Sequence, residues 1–153
     1  MRWCFDTSAL IEPWVRLYPP DLFEPVWGKL AALAGEGVIC APVEVRIELA
    51  DQKDNLFQWA KNLNGFFLDP TRDLLALAAQ IVNDHPGLIK PNSPKSGADP
   101  FVIAQAELQG VPVVTYETMA KVAAAPRIPN VCAARGISYV SLTDVLRAEG
   151  FRL

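Results

Sequence analysis

The sequence predicts an α/β domain in three layers, a central parallel sheet with helices on both faces. Short apolar runs that end abruptly recur along the chain, each followed by residues at helical spacing. No turn pair such as Asn-Gly joins one strand-like run to the next, so the strands are linked by crossovers and lie parallel. No internal repeat and no linker divides the 153 residues, so residues 1–153 read as one domain.

Residues 2–5 are a short apolar run closed by Asp6, and Thr7 or Ser8 can cap a helix reaching Val15. Pro19-Pro20-Asp21 breaks the chain. Leu22, Phe23, Val26, Trp27, Leu30, Leu33 and Ala34 then recur at helical spacing until Gly35-Glu-Gly37 stops them. Residues 38–40 read as a brief buried strand, and Pro42 suits the first turn of a helix through Glu44, Ile47 and Glu48 to about Gln52. A further helix lies around Leu56, Phe57, Trp59 and Ala60, a short strand at 66–69, and an apolar-rich helix at 71–83. Residues 85–98, with three Pro, two Gly, two Lys and two Ser, form a loop. Asp99-Pro100 opens a helix, the aspartate at the N-cap and the proline first inside, and Gly110 ends it. Residues 111–115 are a buried strand, with Glu117 directly beyond. Residues 127–130 read as a turn, 131–135 as a short helix, 137–140 as a strand and 142–149 as a last helix capped by Ser141 or, in a shifted frame, Thr143.

With 51% of its residues hydrophobic, the chain can bury an ordinary core without disulfide or metal staples. Its longest apolar stretches, such as 74–79, fall far short of a bilayer span, so no membrane segment is expected. The opening Met-Arg-Trp-Cys-Phe-Asp reads as a strand ending in an acid and not as a signal peptide. Cys4, Cys40 and Cys132 are odd in number and lack CxxC spacing. They read as buried thiols in a reducing cytoplasm, not as a disulfide scaffold or a zinc site. Fourteen basic against seventeen acidic residues give −3, whereas a protein that only coats nucleic acid would be basic. That balance can conceal a site, because acids gathered round a divalent ion are neutralised by it.

In a parallel α/β sheet, ligands gather at the carboxyl ends of the strands. Asp6 ends the first strand. Glu44 and Glu48 lie one turn apart on the helix after the second, Asp99 opens a helix, and Glu117 ends the strand that follows it. Acids converging there would repel one another and shift their pKa values upward unless a cation sat among them. Mg²⁺ or Mn²⁺, hard and oxygen-seeking, is the natural cation, and such ions support phosphodiester cleavage.

Four segments, Asp6-Thr-Ser-Ala-Leu-Ile11, Pro42-Val-Glu-Val-Arg-Ile-Glu-Leu49, Ala98-Asp-Pro-Phe-Val-Ile-Ala104 and Val113-Val-Thr-Tyr-Glu117, resemble the four acidic motifs of the PIN-domain nucleases. Arg127-Ile-Pro-Asn-Val-Cys132 with Ile137-Ser-Tyr-Val140 is similar to a PIN-like branch of unassigned function. The resemblance covers nearly the whole chain. It implies a PIN-like α/β/α sandwich and a Mg²⁺- or Mn²⁺-dependent endoribonuclease, often the toxin of a toxin–antitoxin pair. By the same resemblance Asp6 and Asp99 fall on metal-binding positions. The helix acid falls on Glu48 if Pro42 sets the register and on Glu44 if the end of the second strand does. Glu117 stands where the common pattern has aspartate, so its reach to a second metal is longer. Ser8 and Thr115 fall on hydroxyl positions that orient the carboxylates, and no His, Lys or Ser nucleophile is needed. RNA, an antitoxin protein and a second copy are the implied partners, with Trp14, Tyr18, Phe23 and Trp27 as homodimer contacts.

Positive charge has to accompany a phosphate substrate. Residues 90–135 carry Lys90, Lys95, Lys121, Arg127 and Arg135 against Asp99, Glu107 and Glu117, and Lys95, just before Asp99, is the foremost phosphate contact. Each acid also has an ordinary reading when taken singly. Asp6 and Asp99 can be turn or cap residues, Glu44 and Glu48 a solvated helix stripe beside Arg46 and Lys53, and Glu117 a surface acid. A phosphotransferase of the strand-Asp-x-Asp type would need aspartate where Ser8 stands. A PIN-like scaffold that only binds or regulates is the alternative from a different class, and metal binding with loss of cleavage in Asp6→Asn separates the two.

Overall fold

The computed structural model describes residues 1–52, 54–90 and 97–153. It holds a five-stranded, all-parallel sheet in the order β3-β2-β1-β4-β5, where β1 is Trp3–Phe5, β2 Ile39–Pro42, β3 Phe67–Leu68, β4 Val113–Val114 and β5 Tyr139–Val140. Cys4 stands opposite Cys40 on one side and Val113 on the other. The first strand is therefore the middle of the sheet. Cys4, Phe5, Ile39, Cys40, Ala41, Val113 and Val114 are all sealed from water, as expected of a parallel sheet with both faces covered. All three cysteines are free and buried.

Eight helices complete the described residues: α1 Ser8–Glu12, α2 Glu24–Gly35, α3 Val43–Gln52, α4 Asn55–Ala60, α5 Arg72–Asp84, α6 Asp99–Gln109, α7 Ile128–Arg135 and α8 Leu142–Ala148. Together they make the three-layer α/β/α arrangement that the sequence predicts. Their buried stripes supply the core: Val26, Leu30 and Leu33 from α2, Leu74, Ala78 and Ile81 from α5, Val102, Ile103 and Ala106 from α6. Gly110 and Gly136, both at positive φ, end α6 and α7 in left-handed caps that a side chain would strain. Among the described residues no helix is long and apolar enough to cross a membrane.

Four local expectations are corrected. The first helix stops at Glu12, and a π-type turn, Pro13–Leu17, replaces its last turn, because Pro13 has no N–H to continue the ladder. Neither Thr7 nor Ser8 caps that helix with its side chain. Residues 127–130 are not a separate turn: Arg127 is the N-cap of α7, and Asn130 Oδ1 accepts its N–H at 3.0 Å. Asp99 is the first residue inside α6, with Ala98 at the cap, since its carboxylate is committed elsewhere. Ser141 does cap α8, in a reciprocal capping box with Asp144.

The aromatic residues pack against one another within the chain. Trp27, only 3% exposed, meets Trp14 at 4.7 Å and Trp59 at 5.1 Å, edge to face, and its indole N–H donates to the Tyr18 carbonyl at 2.7 Å. Trp27 is therefore core and has no surface to offer a second copy. Trp27→Ala is expected to cost about 3–5 kcal/mol in urea unfolding, as for other large core truncations; a change below 1 kcal/mol would contradict this packing.

Candidate metal centre

Strand order 3-2-1-4-5 reverses between β1 and β4, which opens a crevice at the carboxyl ends of those two strands. Asp6 follows β1, and Thr115, Tyr116 and Glu117 follow β4. The amino end of α6 brings Asp99 to the same place. Carboxylate oxygens of Asp6, Asp99 and Glu117 all lie within 4.8 Å of one another. Asp6 and Asp99 are 2% and 5% exposed, and Glu117 is half-buried.

Asp6 is the most firmly held of the three. The Ser8 hydroxyl donates to its Oδ2 at 2.6 Å and the Thr115 hydroxyl to the same oxygen at 3.0 Å. Each hydroxyl in turn accepts a main-chain N–H, Ser8 from Tyr116 at 2.9 Å and Thr115 from Glu117 at 3.0 Å. Two parallel relays thus run from backbone to hydroxyl to carboxylate, and each polarises the next bond toward an ionised Asp6. With both hydroxyl protons given to Asp6, the 3.2 Å approach of Ser8 Oγ to Thr115 Oγ1 is a contact between two acceptors.

Glu48 stands beside this cluster, and its Oε1 accepts the Ala98 N–H at 2.8 Å. Glu44 takes no part in the cluster; among the described residues its Oε2 is buried with no hydrogen-bond partner. Because α3 starts at Val43, straight after β2, the turn that reaches the site is the one carrying Glu48. Lys95 lies outside the described residues.

Burial dominates the electrostatics. It raises the pKa of Asp6, against the pull of Ser8, Thr115 and the Thr7 and Ser8 amides. Burial, then Asp6, Glu117 and Glu48, push Asp99 up to about 10, with Lys90 opposing. Glu117 rises to about 7, through burial and Asp6, with Lys90 and Arg127 opposing. Burial likewise lifts Glu48 to about 7 against the Ala98 N–H and the Thr7 hydroxyl. Burial and mutual repulsion both favour the protonated form of these acids. The donors of the cluster are all carboxylate oxygens, a set that fits a hard divalent cation such as Mg²⁺ or Mn²⁺ and not a thiolate or imidazole metal.

Among the described residues Lys90 and Arg127 are cations whose charge reaches the cluster, and their sequence context does not set them apart from neighbouring basic residues. The loops that carry them touch at Gly87. A Cβ there would collide with the Ala124 carbonyl and stand 2.9 Å from Pro126 Cδ, so the backbone before Lys90 and the backbone before Arg127 are in direct contact. A lone glycine in a Pro- and Gly-rich loop carries no sequence signal of such an approach.

The fold and the site together define a class: a single parallel α/β domain with a buried carboxylate cluster at its topological switch point. The chain belongs to the family described as a domain of unknown function, DUF4411, which it matches over residues 3–153. No curated protein matches it.

Two outcomes follow. Gly87→Ala should lose about 1–3 kcal/mol in urea unfolding, because the loops must separate to admit the methyl group. Stability of the metal-free protein should fall as pH rises from 5 to 8. The unfolded chain releases its carboxyl protons near pH 4, while Glu48 and Glu117 keep theirs to about 7 and Asp99 to about 10, so the folded state binds more protons over that range. Thermal melts in EDTA at pH 5, 6, 7 and 8 measure this, and Asp99→Asn should flatten the trend; a melting point that climbs with pH would contradict it.

Proposed function

We propose that the protein is a metal-dependent endoribonuclease in which Asp6, Asp99 and Glu117 hold Mg²⁺ or Mn²⁺. The observation that carries this reading is the convergence of three carboxylates within 4.8 Å at the crevice between β1 and β4. The four acidic segments that resemble PIN-domain motifs support it, since three of their acids, Asp6, Asp99 and Glu117, meet within 4.8 Å and Glu48, from the fourth, stands beside them.

When bound, the cation supplies Lewis-acid polarisation of a phosphodiester and of the attacking water. Asp6 keeps its carboxylate in one orientation through Ser8 and Thr115, so no rearrangement is required as charge develops. Asp99 and Glu117 complete an oxygen-only donor set. Lys90 and Arg127, whose charge already acts on Glu117, are the side chains to face the non-bridging oxygens of a phosphate brought to the cluster. By the PIN resemblance the setting would be that of a toxin restrained by an antitoxin.

Purified protein with Mn²⁺ should cleave a mixed structured RNA, and EDTA or Asp6→Asn should abolish cleavage. Cleavage that survives both treatments would overturn the reading. Absence of cleavage together with absence of a Mn²⁺ heat signal in calorimetry would leave a PIN-like binding module as the better account.

A further inference from the structure

We propose that Glu48 is a positioning residue: its carboxylate caps α6 from a neighbouring helix and so anchors the start of the helix that presents Asp99, without itself ligating the cation. This rests on the metal-binding reading of the Asp6, Asp99 and Glu117 cluster.

Every helix leaves the N–H groups of its first turn without partners inside the helix. In α6 the N-cap is Ala98, which has no side chain able to accept one of them. Pro100 has no N–H, and the Phe101 and Val102 N–H groups both reach the Ala98 carbonyl at 3.0 Å. The Ala98 and Asp99 N–H groups are left, and in a capping box the first of them is satisfied by an acid or amide three residues into the same helix. That position in α6 is Phe101, which cannot do so. By contrast α8 carries Asp144 there, and Asp144 Oδ2 accepts the Ser141 N–H at 3.0 Å. For α6 the acid comes instead from α3, Glu48 Oε1 accepting the Ala98 N–H at 2.8 Å. The reciprocal half of the box is absent, because Ala98 has no side chain to accept the Phe101 N–H, and Asp99, the first acid of α6, lies in the cluster.

Glu48 therefore does for α6 what an acid at position 101 would do within the helix. Its carboxylate is not among the three whose oxygens meet within 4.8 Å. The bond it makes is to the residue before Asp99 and holds the Gly97–Ala98 peptide, so its loss lets the chain entering α6 move just ahead of Asp99. A bond of this kind needs a carbonyl-type oxygen at the end of a side chain as long as glutamate or glutamine, and not a negative charge. Glutamine can supply it.

The test compares wild type, Glu48→Gln, Glu48→Ala and Asp99→Asn by Mn²⁺ calorimetry and by amide hydrogen exchange at Ala98, with circular dichroism to verify the fold. Glu48→Gln should keep Mn²⁺ affinity close to wild type and keep the Ala98 amide protected. Glu48→Ala should weaken Mn²⁺ about 10- to 100-fold, the usual effect of losing a group that orients a ligand. Its Ala98 amide should exchange at least about tenfold faster. Asp99→Asn should lose Mn²⁺ binding while Ala98 stays protected. Loss of Mn²⁺ in Glu48→Gln to the extent seen in Asp99→Asn would make Glu48 a ligand and overturn the proposal, as would unchanged Ala98 exchange in Glu48→Ala. Failure of wild type to bind Mn²⁺ would overturn the metal reading instead, and the exchange measurement, which needs no metal, still decides whether Glu48 holds α6.

Discussion

Mutual repulsion among buried carboxylates is the constraint on which the rest of the site depends. Asp6, Asp99 and Glu117 are crowded within 4.8 Å, with little water to screen them. A fold that only had to be stable would place apolar side chains at these positions, because acids whose ionisation is opposed by their surroundings weaken the folded state. The arrangement becomes favourable once a positive charge enters. Stability and capacity for a cation are therefore set against each other at the same three residues.

The surrounding structure divides its support unevenly. Asp6 sits on the central strand and receives two hydroxyl donors, each fastened by a main-chain N–H from the segment after β4. Its position is consequently tied to the pairing of β1 with β4 at the centre of the sheet. Asp99 rides on a helix end instead, and Glu117 on the chain leaving β4, with two outlying cations tempering its environment. One acid is built into the scaffold, and the other two are brought to it.

Much of this was legible in the sequence because strand ends are legible. Apolar runs stopped by Asp6 and by Thr115-Tyr-Glu117, in a pattern that required parallel strands, put those acids at one edge of one sheet. The Asp99-Pro100 start of α6 was legible to within one residue; the shift arose because a carboxylate drawn into a tertiary cluster gives up the local capping bond that sequence rules assume. Choice between Glu44 and Glu48 was not legible, since it turns on how soon α3 begins after β2. Trp27 reads from spacing as equally suited to core or interface. Only the distant Trp14 and Trp59 rings closing over it decide the matter. Lys90 and Arg127 stand on two loops that touch at Gly87, a contact between segments far apart in the chain.

The central position of β1 also governs when the site can exist. Translation makes β1 first, yet one of its two partners, β4, lies near the far end of the chain. Pairing across so long a separation is slow to form, and until then one edge of β1 is without its neighbour. The Thr115 hydroxyl and the Tyr116 N–H that orient Asp6 and Ser8 do not exist until that late segment has been synthesised. A growing chain therefore carries Asp6 with no means of assembling the centre until Thr115, Tyr116 and Glu117 have been made, and the cluster comes together only as the sheet closes.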